Sequence, residues 1–124
     1  MRGTINFGGK PVELVANGAT PVLYKRVFRR DFLNSANKAD DMDIYVELAF
    51  IMAKQAEKPL SELINSLKYE DYLAWVEDFE AMAIIEKYKG KDYLLSIMNG
   101  RKDYLSFSRN CFLGLQAIGK NLDE

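Results

Sequence analysis

Lys25, Arg26, Arg29 and Arg30 place four cations within six residues. At helical spacing they share one face, where cations could hold phosphates or the carboxylates of a protein partner. An overall pI of 5.6 and the lack of a helix-turn-helix pattern weigh against nucleic acid. A protein contact or a solvated face is the stronger reading of the four.

Other chemistry is scarcer still. The 124 residues contain no histidine, which removes the commonest general acid and base and the commonest metal ligand. Cys111 is the single cysteine, so no disulfide closes within the chain and a zinc site lacks its ligands. On an apolar helix face with no activating base, Cys111 reads as a small packed side chain. Asp40, Asp41 and Asp43 lack the glycine and distal glutamate of a calcium loop, and read instead as acidic residues at a helix start. Gly8-Gly9-Lys10 lacks the second glycine and the strand–helix setting of a phosphate loop. The carboxylates Glu70-Asp71 and Glu77-Asp78 with Glu80 fall at helical spacing as a charged outer face. No catalytic, cofactor or metal site is read, and the expectation is a binding protein rather than an enzyme.

The elements that carry these residues follow from periodicity. Thr4 to Phe7 and Lys10 to Val15 alternate around Gly8-Gly9, which predicts a β-hairpin over about residues 3–15. Pro11 must then sit at a strand start or an open edge. A hairpin alone is marginal in water, so it must pack on helices or on another copy. Ala16-Asn17-Gly18 is a turn. Thr20 is expected to cap a helix that starts at Pro21 and buries Leu23, Val27 and Phe28. Run on unbroken, that helix would bury Asp31 without a partner. A break near Arg29-Arg30 is therefore expected, with Asp31 capping a second short helix through Asn34 or Ser35.

Residues 34–41 read as a loop. A helix from Asp41 or Asp43 to about Glu57 has one slim face of Ala49, Ala53 and Ala56. A short helix after Pro59 carries Leu60, Leu63, Ile64 and Leu67. Tyr69 to Lys87 has a wide apolar arc, with Tyr72, Trp75, Val76 and Phe79, and is expected to form the core; its sequence allows a break near Glu77-Asp78. Gly90 is a turn, Asp92 to Met98 a short helix closed by Asn99-Gly100, and Asp103 to Asn121 the last helix. The sum is a single, mainly α domain over 1–124: five to six helices over about 20–121 behind a short N-terminal hairpin. No apolar run approaches the ~20 residues of a membrane span, no signal peptide is read at the N-terminus, and the lone cysteine suits a reducing cytosol.

Charge divides along the chain. Residues 1–38 hold seven basic and two acidic residues, a net +5, and the remainder holds ten and sixteen, a net −6. Such a split suits an anionic partner or contact between copies.

Two segments carry a resemblance. Ala19-Thr20-Pro21-Val22-Leu23-Tyr24 through Phe28-Arg29-Arg30-Asp31-Phe32-Leu33 resembles the Gly-Ala-Thr-Pro, tyrosine, Phe-Gly-Arg-Asp-Leu segment of tail assembly chaperones from long-tailed phages and prophages of Gram-positive bacteria. Asn6 to Leu14 is similar to the hairpin that opens those proteins. Tyr45 to Ala56 is similar to their helix reading Leu-Ala-Tyr-Ile-Met-Ala-Lys-Gln-Ala. The likeness covers about residues 4–57 well and 58–87 loosely, and does not extend over 91–124. Arg29 departs from the pattern, standing where the family has glycine. The resemblance implies a non-enzymatic protein of the host bacterial cytoplasm that coats the tape measure protein, recruits major tail protein and is left out of the mature virion. Coating a long partner needs many copies, so a homo-oligomer is expected, with no membrane or cofactor. The competing reading is a small nucleic-acid-binding regulator that uses Lys25, Arg26, Arg29 and Arg30.

Overall fold

The computed structural model describes residues 1–7, 10–31, 42–79 and 90–123. Among them lie two strands, β1 (Arg2–Phe7) and β2 (Lys10–Val15), and five helices: α1 (Ala19–Phe28), α2 (Met42–Glu57), α3 (Leu60–Ser66), α4 (Tyr69–Phe79) and α5 (Gly90–Asp123). The protein is mainly α with a short N-terminal hairpin, as the periodicity requires.

The strands pair antiparallel, with Phe7 opposite Lys10 and Arg2 opposite Val15. The ladder continues at its open end. There the Met1 ammonium donates to the Ala16 carbonyl at 2.6 Å, and the Ala16 N–H donates to the Met1 carbonyl at 2.7 Å. Antiparallel pairs alternate between bonded and non-bonded. With Met1 and Ala16 bonded, Asn6 and Pro11 form a non-bonded pair. The N–H that proline lacks would point away from β1, so Pro11 costs the sheet nothing. Alternation sorts the faces. Ile5, Leu14 and Ala16 are buried, while Arg2, Thr4, Asn6, Pro11 and Glu13 are exposed. The hairpin packs on helices, β1 against α5 and β2 against α2.

The core is organised by α2 and not by the segment from Tyr69, contrary to the apolar arc. Every residue from Glu47 to Ala53 is buried, so α2 is enclosed on all sides. It touches β2, α1, α3, α4 and α5. None of residues 69–77 of α4 is buried, and Leu73 is 46% exposed. The reason is charge: Glu70, Asp71 and Glu77 interrupt α4, whereas Ile44 to Ala53 carries Glu47 as its one charge. α4 is held by rings instead. Tyr72 meets Phe28 at 4.9 Å and Phe50 at 5.5 Å, and Trp75 meets Phe50 and Tyr104 at 5.8 Å each.

α5 overturns a second expectation. Asn99-Gly100 does not stop a helix; one helix of 34 residues runs through it. Gly100, Tyr104, Ser108 and Phe112 are buried at four-residue intervals, so glycine lies on the line that faces the core. Packing of this stripe, with Phe112 against Tyr45 at 5.9 Å, outweighs the ~1 kcal/mol that glycine costs inside a helix. The expected second short helix after Asp31 and the loop of residues 34–41 fall on 32–41, outside the described residues. At Glu77-Asp78 no break occurs, because α4 runs through both to Phe79. No described helix is long and apolar enough to cross a membrane.

Candidate functional site

The basic group lies at the end of α1. The helix stops at Phe28 because Arg29 turns left-handed, at φ 57° and ψ 35°, while its N–H still closes on the Lys25 carbonyl at 2.8 Å. The expected break is therefore present, and it falls on the residue that departs from the family pattern. Asp31, assigned a capping role, is exposed; the helix it was expected to cap lies outside the described residues.

The turn splits the four cations. Arg30 reverses direction and pairs with the Glu47 carboxylate of α2 through Oε2. Glu47 Oε1 accepts the Tyr24 hydroxyl at 2.7 Å. Burial pushes the Glu47 carboxyl above its ordinary range; the Tyr24 hydrogen bond and the Arg30 charge pull it back in part, and Asp43 one turn away adds a small upward push. Lys25, Arg26 and Arg29 remain outside and line an open cleft of about 470 Å³. Arg26 reaches Asn65 of α3 at 3.4 Å. Lys25 and Arg29 make no ion pair with any described residue. The four residues therefore serve two purposes: one buckles α1 to α2, and three present positive charge to solvent.

Thr20 does not cap α1 from outside, as its sequence position suggested. The helix begins at Ala19, and Thr20 lies within the first turn, fully buried. Its hydroxyl accepts the Asn17 N–H at 3.0 Å and donates to Gln55 Oε1 at 2.6 Å. Asn17 Oδ1 accepts from the Ala19 N–H at 2.9 Å and from Gln55 Nε2 at 3.0 Å. Asn17 and Thr20 thus satisfy each other's neighbourhood reciprocally, in the manner of a capping box shifted by the turn before it. Gln55, which sits in an otherwise apolar pattern on α2, is explained by these two bonds.

Sequence reasoning missed Glu47 and Tyr24. A single carboxylate inside an uncharged helical run was the available signal, because a buried charge must have a partner. It also missed the exposed apolar surface beside the cations. Tyr69 and Val22 are each 49% exposed, and Leu73 is 46% exposed. On α4 these apolar side chains lie among the exposed carboxylates of Glu70, Asp71 and Glu77. Among the described residues no three histidine, cysteine or acidic side chains come together as a metal site. The Cys111 thiol is buried, lies 3.3 Å from the Met1 thioether, and is pushed up to about 11 by burial.

Compared with known proteins, the chain matches no family model, no curated protein and no solved structure.

Proposed function

We propose that this chain is a phage or prophage tail assembly chaperone, a non-enzymatic protein that binds the tape measure protein, helps recruit major tail protein and self-associates in the host cytoplasm. One observation carries the reading: the two segments that resemble the family are bonded to each other, and Thr20, Tyr24, Arg30 and Gln55 in these bonds stand at positions of the shared pattern, with Glu47 just before it. Thr20 of the first segment bonds Gln55 of the second, and Tyr24 and Arg30 of the first both bond Glu47 of the second. The left-handed turn between them falls on Arg29, where the family has glycine. A chance likeness of short apolar strings would not select the polar residues that join them.

The surface suits protein binding. Partly exposed apolar side chains beside both signs of charge offer area for an amphipathic partner and charges to set its register. Co-expression with a tape measure fragment tests the reading directly: the two should co-purify, and a chain that never retains the fragment sinks it. Gene order is an independent check, with a major tail protein gene expected upstream and a very long tape measure gene downstream.

The nucleic-acid reading keeps one observation in its favour, the cleft lined by Lys25, Arg26 and Arg29. It loses the fourth cation, since Arg30 is paired to Glu47. Retention on duplex DNA at low salt, falling steeply as salt rises, is what it requires.

A further inference from the structure

Lys25 is exposed on α1 with Val22 a turn before it, and the exposed Arg29 follows at the left-handed turn that ends the helix. Glu70 and Glu77 lie two turns apart on the exposed face of α4, with Leu73 between them. None of the four charges has an ion-pair partner among the described residues. The two helices meet, because the buried Phe28 at the end of α1 packs on Tyr69 at 6.0 Å and on Tyr72 at 4.9 Å. Arg29 follows the first of these rings in sequence, and Glu70 follows Tyr69. Between them the two helices and the turn after α1 carry exposed positive charge, exposed negative charge and three large apolar side chains that are nearly half exposed.

A surface of this kind complements itself. A two-fold rotation lays the positive half of one copy on the negative half of the other, and does so twice in one interface. We propose that a second copy of this chain docks here, as a closed two-fold dimer in which Lys25 and Arg29, at the end of each α1 and the turn after it, meet the Glu70/Glu77 face of the partner's α4. Val22, Tyr69 and Leu73 become the apolar centre of the contact, and the charges form its rim and fix its orientation. The proposal rests on and deepens the self-association that the chaperone reading expects, with a closed pair as its basic unit.

The experiment is a charge swap followed by sedimentation velocity. The wild-type chain is expected to dimerise with concentration and to loosen as salt rises, since rim charges are screened. Two double variants are made, Lys25→Glu with Arg29→Glu, and Glu70→Lys with Glu77→Lys. Each alone should weaken dimerisation by at least about tenfold. Mixed in equal amounts they should recover the dimer, because each copy then offers both halves that the other needs. Recovery also certifies that both variants are folded. A wild-type monomer at all concentrations overturns the proposal, and so do variants with unchanged mass or a mixture that stays monomeric. Assemblies larger than two overturn the closed pair in favour of an array. Unchanged mass with lost retention on duplex DNA assigns the cleft to nucleic acid instead. Capture of a tape measure fragment is read in parallel on the wild type and both variants. Capture by a wild-type monomer refutes the dimer alone, and a dimer without capture refutes the chaperone reading alone.

Discussion

Replacing Arg29 by glycine should stabilise the protein, although it removes a long side chain. Arg29 is held at φ 57°, a region that costs a residue with a Cβ roughly 1–2 kcal/mol and glycine almost nothing. The hydrogen bond that ends α1 is made by the backbone N–H to the Lys25 carbonyl, so it survives the substitution. The side chain is exposed and has no ion-pair or hydrogen-bond partner to lose among the described residues. Against the gain stands the greater freedom of glycine in the unfolded chain, about 0.4–1 kcal/mol. The balance is a stabilisation of about 0.5–1 kcal/mol. Spread over an unfolding entropy of ~2.1 cal/mol/K per residue, that raises Tm by about 2–4 °C. Arg29→Ala is the control, because it removes the same charge and leaves the Cβ in the left-handed region. Thermal and urea unfolding followed by circular dichroism should rank glycine above arginine and alanine, with an unchanged urea slope. A glycine variant no more stable than the alanine variant would refute the argument that this turn is strained.

Three further outcomes follow from other residues. The folded carboxyl of Glu47 titrates above its ordinary value of 4.5, so the native state holds that proton more tightly and this group's contribution to stability falls as pH rises from 4.5 through the folded value. Glu47→Gln keeps an acceptor for Tyr24 and should cost within about 1 kcal/mol at neutral pH; the wild-type-minus-variant stability difference, measured by urea titration, should slope downward with pH across that window, and an upward slope would contradict the assignment. At Gly3 a Cβ would stand 2.5 Å from Phe107 Cε2 and 3.0 Å from Cδ2 and Cζ, so Gly3→Ala should destabilise by about 1–3 kcal/mol in the same assay, with Gly3→Ala/Phe107→Leu recovering part of the loss. With its thiol pushed up to about 11, Cys111 should resist alkylation in the native protein at pH 8 and react fully in denaturant; rapid native labelling would show that the site is open.

Local chemistry made much of this architecture legible. Alternation around Gly8-Gly9 announces the hairpin, and Ile5 and Leu14 are buried while Thr4, Asn6 and Glu13 are exposed, as it requires. The break after Phe28 could be argued from Asp31, because an unbroken helix would have buried its carboxylate. Other features depended on distant partners. Nothing near Arg30 reveals that it turns inward, since its partner Glu47 lies 17 residues away. Asn99-Gly100 has the composition of a helix stop, yet the stripe from Gly100 to Phe112 packs on α2 and keeps the helix whole. The apolar arc of α4 measured hydrophobicity and not burial; a run with one charge from Ile44 to Ala53 was the better sign of the central helix.

The polar residues between α1 and α2 bear on why the fold is unique. Apolar packing alone tolerates sliding, because leucine, isoleucine and valine fill similar volumes. Thr20 with Gln55, and Tyr24 with Glu47, tie the start of α1 to the end of α2 and the middle of α1 to the first half of α2, so the helices run antiparallel. A shift by one turn would leave the Thr20 hydroxyl and the Glu47 carboxylate buried without these partners, at about 1–3 kcal/mol for the neutral group and more for the charge. Arg30 then fixes the exit of the chain from α1, since its pairing with Glu47 is reached through the left-handed Arg29. The same geometry that turns Arg30 toward Glu47 leaves Lys25 and Arg29 exposed and without an ion pair among the described residues. The seam that holds the two helices in register therefore also sets which charges are left for a partner, and a disturbance at Glu47 should be felt at the Lys25/Arg29 surface as well as in the core.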